Sequence, residues 1–599
     1  MHIARNLLAV LSAFFILVPP VHAAAPEPRH GIAMHGELKH GPDFEHFDYV
    51  NPDAPKGGEL KLAVTGNGFD TFNPFVLRGV AAAGANAYLY DTLLSQSEDE
   101  AFSAYGLIAE KVQVPEDRSW VTFHINPQAT FHDGEPITAD DVIFSFETLT
   151  EKGHPFYQAY YADVAEVKKL DDLTVRFNFK DTTNRELPLI LGQLPVLPKH
   201  YWEDREFGGA SLEPPVGSGP YEIDSYEAGR TVTYGRVDDY WAADLPVNRG
   251  RYNFDKIRYE YFSDDTVSME AFKAGIYDFR EETSAKSWAT AYEGEKFTEG
   301  EFKKEEIHHE QPAGMQGFIY NTRRSVFQDP LVRQALAYAF DFDWTNRNLF
   351  YDQYSRTNSY FENSELASTG LPSGAELKLL EPHRKNLPPG VFEQEYRPPS
   401  SDEEGEMRKN LARAVQLLDQ AGWGFKDGKM VNRKTGEQLK FEILLAQKTF
   451  ERVVSPFINN LKRLGIDADM RRVDTTQYVQ RIRNFDFDMF IMSIGQSNSP
   501  GNEQRSFWSS EAAEQPGSRN YAGVSDPVVD DLVDKVIQAP DREALVARTR
   551  ALDRVLLWGH YVIPQWYLPY RRVAYTSELQ RPETLPATGV SLDTWWYEQ

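Results

Sequence analysis

Residues 130–147, TFHDGEPITADDVIFSFE, gather one His, three Asp and two Glu into eighteen residues. Such a set could coordinate a divalent cation, or supply an acid and a base to a hydrolysis. The elements that must position these side chains give a different answer. Asp133-Gly134 is a turn signal at the end of a strand. Thr138 stands where a helix N-cap belongs, and Asp141 follows three residues on, a capping-box spacing. Asp140 and Asp141 then fall in the first helical turn, where the dipole favours negative charge by roughly 0.3–1 kcal/mol each. Val142, Phe146 and Leu149 form the apolar face behind them. The carboxylates are therefore expected to start a helix, leaving metal binding and catalysis as minor readings.

Other catalytic patterns are missing from the chain. It contains no H-E-x-x-H, P-loop or dinucleotide fingerprint, and Gly495–Ser499 (GQSNS) lacks the last Gly of a nucleophile elbow. No nucleophile–base arrangement is legible, so the expectation is a non-enzyme without a cofactor. His30, His35, His40 and His46 could take Ni²⁺ or Zn²⁺ adventitiously. Their spacings do not share a helix face, and an exposed segment is expected. His308-His309-Glu310 is expected to be solvated.

The chain has 599 residues, enough for two or three domains. Its formal net charge of −27 makes nucleic acid an unsuitable partner. Residues 1–25 pair one Arg with an apolar run (LLAVLSAFFILV) and a small-residue end, the pattern of a secretory signal peptide. There is no cysteine, hence neither a disulfide nor a thiol to lipidate. The expected location is the periplasm, as a soluble and monomeric protein.

Strand-like and helix-like segments interleave, which indicates an α/β fold. ELKLAV (59–64), SWVTFHI (119–125) and TVRFNF (174–179) alternate as strands. GSGPY (217–221) is a tight turn, followed by a hairpin turning at Ala228-Gly229. In the second half, Asp329-Pro330 and Asp526-Pro527 open helices, and further helices over 411–421 and 451–464 end at Gly422 and Gly465. DMFIMSI (488–494) is a buried strand. Residues 370–406, rich in Pro, Gly and charge, are expected to be a surface excursion.

Three loops combine aromatic and polar residues as a pocket for an organic ligand requires: DFREETSAKSW (278–288), SRTNSYFE (355–362) and QSNSPGNEQRSFW (496–508). The candidate ligand-binding residues are Asn73, Glu281, Glu282, Trp288, Arg356, Asn358, Tyr360, Phe361, Asn498, Arg505 and Trp508. Trp288, Tyr360 and Trp508 would supply aromatic packing, and Arg356 or Arg505 would hold a carboxylate or phosphate.

FHDGEPITADDVIFSFE resembles the signature of family 5 extracellular solute-binding proteins, the oligopeptide, dipeptide and nickel binders of ABC importers. PVGSGPYE, FKAGIYDFR, DPLVRQALAYAFD, ARAVQLLDQAGW and VIPQWYLPY resemble further landmarks in the family's order. HFDYVNPDAPKGGELKL, SRTNSYFENSEL and LDTWWYEQ are similar to the YejA-type subgroup, whose importer is associated with peptides and the peptide–nucleotide antibiotic microcin C. The resemblance implies a two-lobed, type II-like binding protein of cluster C with an extra α/β domain, three domains in all. Domain I would comprise 26–75, 215–305 and 566–599, domain II 76–214, and domain III 306–565. It implies a peptide or peptide-like ligand held between closing lobes, and an inner-membrane permease with its ATPase subunits as partner. A nickel, haem or opine-type carrier of the same fold is the alternative, with a periplasmic hydrolase behind it. Dipeptide and oligopeptide binders of the family carry an Asp after the strand equivalent to DMFIMSI, which pairs with the ligand's α-amino group. Here Asn498 stands near that place. It would suit a capped terminus, unless Glu281 or Glu282 supplies the charge.

Overall fold

The computed structural model describes residues 26–66 and 68–598. The expected signal peptide lies outside the described residues. Among those described, no helix is long and apolar enough to cross a membrane.

Three sheets organise the chain. A seven-stranded sheet runs, in spatial order, Phe302–His308, Tyr570–Thr576, Phe279–Glu281, Glu59–Thr65, Lys256–Phe262, Thr231–Arg236 and Tyr221–Glu227. Glu59–Thr65 pairs parallel with Lys256–Phe262, and the outer hairpin is antiparallel. A four-stranded antiparallel sheet takes Ala109–Gln113, Trp120–Ile125, Thr174–Phe179 and Val164–Asp171. One apolar core joins these two sheets, running from Leu60 and Leu62 through Phe123, Val142 and Phe177 to Val573. A five-stranded sheet forms the centre of the second lobe. Its order is Asp467–Arg472, Lys440–Leu445, Met489–Ile494, Met315–Tyr320 and Val562–Pro564. Helices on both faces bury two further cores, one around Phe318 and Phe457 and the other around Phe490 and Leu532.

Local sequence chemistry sets most of these elements. Asp329 and Asp526 cap their helices by accepting from Leu331 and Val528 N–H, with Pro at the first helical position. Gly229 turns the predicted hairpin at φ 72°. The helix expected over 411–421 begins earlier, at Glu406–Gln420. The excursion over 370–406 is anchored rather than superficial. It contains helices Gly374–Leu380 and Gly390–Glu393, and buries Leu380, Leu387 and Val391 in the second lobe. These apolar residues are spaced too widely between prolines to show a period.

The opening carboxylates hold scaffold. Asp141 Oδ2 accepts from Thr138 N–H at 2.9 Å and from its hydroxyl at 2.8 Å, while Oδ1 accepts from Lys199 N–H at 3.0 Å. His132 lies 2.8 Å from Gly219 O, and His200 pairs with Asp133. Replacing Asp141 by Ala removes the acceptor from these part-buried donors. Asp141→Ala is expected to lower unfolding stability by about 2 kcal/mol in a denaturant titration without changing ligand affinity.

Candidate functional site

A cleft of about 810 Å³ lies between the lobes. One wall is the N-terminal turn Met34–Glu37 with Lys39 and the hairpin residues Asp99–Ser103. The other is Asn363–Glu365, Asn498 and Arg542. Both signs of charge face the space, with Glu37, Asp99, Glu100, Glu310 and Glu365 against Lys39 and Arg542.

The cation Arg542 ties its wall together. It pairs with Glu365 at 2.7 Å and donates to Asn498 O. Asp541 caps the helix Arg542–Trp558 through Ala544 N–H, so helix initiation fixes the start of this cationic side chain. Asn363, at φ 65°, donates to His309 O at 2.8 Å and Gln311 O at 3.1 Å, fastening the wall to the interlobe crossing. Opposite, Lys39 bridges Asp48 and Asp99. His35 stands between the walls. Burial, then Arg118, Arg542 and Arg185, lower its imidazole to about 4, so the ring is neutral at pH 7.

Beyond the cleft the lobes touch directly. Asn502 Nδ2 donates to Asn184 Oδ1 at 3.1 Å. Glu186 lies so close to Gly501 that a Cβ there would sit 1.3 Å from Oε1. Burial, then Glu503, raises the Glu186 carboxyl to about 7, with the Asn502 N–H and Arg118 acting the other way.

The predicted site residues divide. Asn498 is on the cleft. Glu281 pairs with Arg571 at 2.8 Å and lines a separate hollow of about 300 Å³ beside Thr65 and Tyr259. Asn358 is exposed and donates to Arg356 O. The others do not line the main cleft. Glu282 is buried, accepting from Tyr292 hydroxyl at 2.9 Å and Ser284 N–H at 2.7 Å, and so serves the scaffold. Asn73 is buried too, donating to Phe207 O and accepting from Phe75 N–H. Trp288 packs in the first lobe and donates to Glu306. Tyr360, Phe361 and Trp508 belong to a second-lobe core, where Tyr360 meets Trp508 edge-on at 5.0 Å. Arg505 pairs with Asp534 on the surface at 2.9 Å. Arg356 faces Phe340 and Phe342 at 5.0 and 5.1 Å, and its guanidinium hydrogen-bonds no described residue. Burial lowers it to about 10.

The histidine segment is not an exposed tract. His40 is buried against Phe44, Phe47 and Tyr105, and His30 reaches His40 O at 2.9 Å. His40, Asp48 and Asp99 present ligand atoms within 4.8 Å of one another. The Lys39 ammonium already bridges the two carboxylates, so the donor set fits a salt bridge better than a cation. The sequence reading gave no role to Arg542, Glu365, Glu186 or Gly501. Their only signal was Asp541 as a helix cap, which explains helix initiation and says nothing of a cleft.

Residues 103–515 match the model of the bacterial extracellular solute-binding proteins, family 5. The chain belongs to this family. It is 45% identical over 603 residues to the "Probable peptide-binding protein YejA" of Agrobacterium fabrum, covering 99% of this chain and 98% of that one. It is 41% identical to the "Peptidoglycan-binding protein YepA" of the same organism, covering 99% of each. Among solved structures, the oligopeptide-binding protein AppA of Bacillus subtilis with a bound nonapeptide has the same fold. Its TM-score is 0.64 at 20% identity, covering 91% of this chain and 100% of that one. The two-lobed α/β architecture is thus that of the family, and an interlobe cleft is where such a fold encloses a ligand.

Gly501→Ala should push the Glu186 carboxyl out of this contact, because the added Cβ overlaps only the far end of that flexible side chain. Titration is expected to show ligand affinity within about three-fold of the wild type and an unchanged melting temperature. With the lobes in contact, burial and then Glu503 hold the Glu186 carboxyl up at about 7. Parting the lobes is expected to return it toward its ordinary range, so the closed form binds more protons and closure weakens as pH rises through 7. From pH 6.5 to 8 affinity is expected to fall about four-fold. His35, titrating below that window, leaves this slope alone, and Glu186→Gln should flatten it.

Proposed function

We propose that this protein captures peptides or peptide-like compounds in the periplasm and delivers them to an ABC importer. The permease and its ATPase subunits would be the partners, and the protein would act as a monomer rather than an enzyme. The observation that carries this reading is the cleft between the lobes. It is large enough for a short peptide and bears acidic and basic groups on each wall, which suits a zwitterion. Ligand that touches both walls stabilises the closed form, which is the state a permease would recognise. The names of the relatives support peptide as the class, and one of them adds peptidoglycan fragments to the candidates. A peptide–nucleotide of the microcin C kind is a finer possibility within the same reading.

Asn498 is the proposed contact for the ligand's amino end, with Glu365 and Glu310 as the charges within the same cleft. A buried ammonium needs an anionic partner, whereas a formylated terminus is satisfied by an amide. Mass spectrometry of ligand co-purified from the periplasm is expected to identify a peptide. Titration with that peptide and its N-formyl form should then give affinities within about three-fold of one another. A preference of a hundred-fold or more for the free amine would remove Asn498 from this role, and a non-peptidic ligand would overturn the class.

A further inference from the structure

Residues 420–440 depart from the charge of the rest of the chain. They hold Lys426, Lys429, Arg433, Lys434 and Lys440 against Asp427 and Glu437, in a molecule of net charge −27. Trp423–Lys426 and Lys429–Asn432 form a two-stranded hairpin, turned by Asp427 at φ 51° and Gly428 at φ 77°. Left-handed backbone at both turn positions fixes its register. Lys426 therefore stands directly opposite Lys429, a like-charge pairing that weakens the hairpin. Arg433 Nε lies over the open face of Gly424, 2.9 Å from where a Cβ would be. Met430 N–H donates to Gly465 O at 2.8 Å. This seats the hairpin beside the end of helix Glu451–Arg463 and adds Lys462 and Arg463 to the same surface. Two surrounding carboxylates are already paired, Asp419 with Arg433 and Asp467 with Lys440. Among the described residues, Lys426, Lys429, Lys434, Lys462 and Arg463 form no ion pair. Asp427 and Glu437 remain, with Asp469 further along the sheet edge, against these five cations. Phe425, beside the turn, is 52% exposed.

This surface lies at the pole of the second lobe remote from the cleft. Met489–Ile494 leads at its C-terminal end to Asn498 on the cleft, and Lys440–Leu445 runs parallel to it, as does Asp467–Arg472 to that strand. Their first residues, Lys440 and Asp467, are thus at the opposite edge of the sheet. Leu439 N–H, donating to Met430 O at 2.8 Å, fastens the hairpin there. We propose that this pole is a docking surface for an anionic phospholipid bilayer. The lysines approach the headgroup phosphates, and Phe425 enters the boundary between headgroups and acyl chains. An exposed aromatic flanked by long cationic side chains is the chemistry of an interfacial anchor. The complementarity is local, because a Debye length of about 10 Å at 0.1 M salt screens the acidic remainder of the molecule. Four of the five unpaired cations are lysines, compact charges on flexible stems, which suit a deformable layer of phosphates better than the fixed carboxylates of a protein partner. Docking of this kind holds a carrier at the membrane that houses its importer. The inference goes beyond the peptide reading and does not depend on the ligand.

The test is co-sedimentation of the purified protein with two kinds of vesicle, phosphatidylcholine alone and phosphatidylcholine with roughly one-third phosphatidylglycerol, at about 0.1 M and about 0.5 M salt. At the lower salt the wild type should partition onto the anionic vesicles about ten-fold more than onto the neutral ones, and at the higher salt it should lose most of that preference. The double variant Lys426→Glu/Lys429→Glu should fall to the neutral level, and Phe425→Ser should partition about three-fold less than the wild type. Lys152→Glu/Lys385→Glu changes the net charge equally on exposed lysines elsewhere and should keep the preference. All these side chains are exposed, so each variant should melt with the wild type. Equal partition onto both vesicles, no partition, or the same loss in both double variants overturns the docking surface. Unchanged partition of Phe425→Ser removes Phe425 from it. If no vesicle is bound but Lys426→Glu/Lys429→Glu slows uptake through the intact importer, the surface meets an acidic face of the permease and the bilayer proposal is overturned.

Discussion

The two chain crossings between the lobes are the constraint on which the rest depends. Phe302–His308 pairs antiparallel with Tyr570–Thr576 in one sheet, and Met315–Tyr320 pairs antiparallel with Val562–Pro564 in the other. His309 N–H to Pro569 O and Gln565 N–H to Gln316 O extend the ladder into the gap between them. Two strands paired at both ends can bend but cannot slide past one another, because sliding would break both ladders together. Relative motion of the lobes is thereby confined to a hinge, and the surfaces facing each other across the cleft are fixed. Asn363, fastened to His309 and Gln311, carries this constraint directly onto a cleft wall.

Opposite the hinge, the lobes meet through a contact that is close but electrostatically costly. Glu186 is buried beside Glu503, and only the absence of a side chain at Gly501 lets it approach. A charged pair in that place resists closure, and ligand bound to both walls opposes the resistance. Such a balance suits a carrier. A latch without cost would close on an empty cleft, and affinity would no longer report ligand.

How much was legible in the sequence follows from how local each feature is. The capping box at Thr138 and Asp141, the Asp-Pro helix starts at 329 and 526, and the hairpin turning at Gly229 each depend on neighbours within four residues, and all form as the sequence reads. The strands over 59–65 and 174–179 show the same for period-two alternation. The loop aromatics were misplaced for the complementary reason. Trp288, Tyr360 and Trp508 sit in polar, unpatterned stretches, where composition cannot distinguish a residue turned into a core from one turned into a cleft. The 370–406 segment hid its anchors in the same way.

The sequence by itself determined the elements, their caps and the family, because these follow from short-range chemistry and from motifs in fixed order. Tertiary structure alone decided the site. Asn184 and Asn502 touch across 318 residues of chain, and the cleft brings His35 and Arg542 to one space. No period or spacing encodes such meetings. They arise when two lobes, each folded around its own core, are brought together by a shared pair of strands.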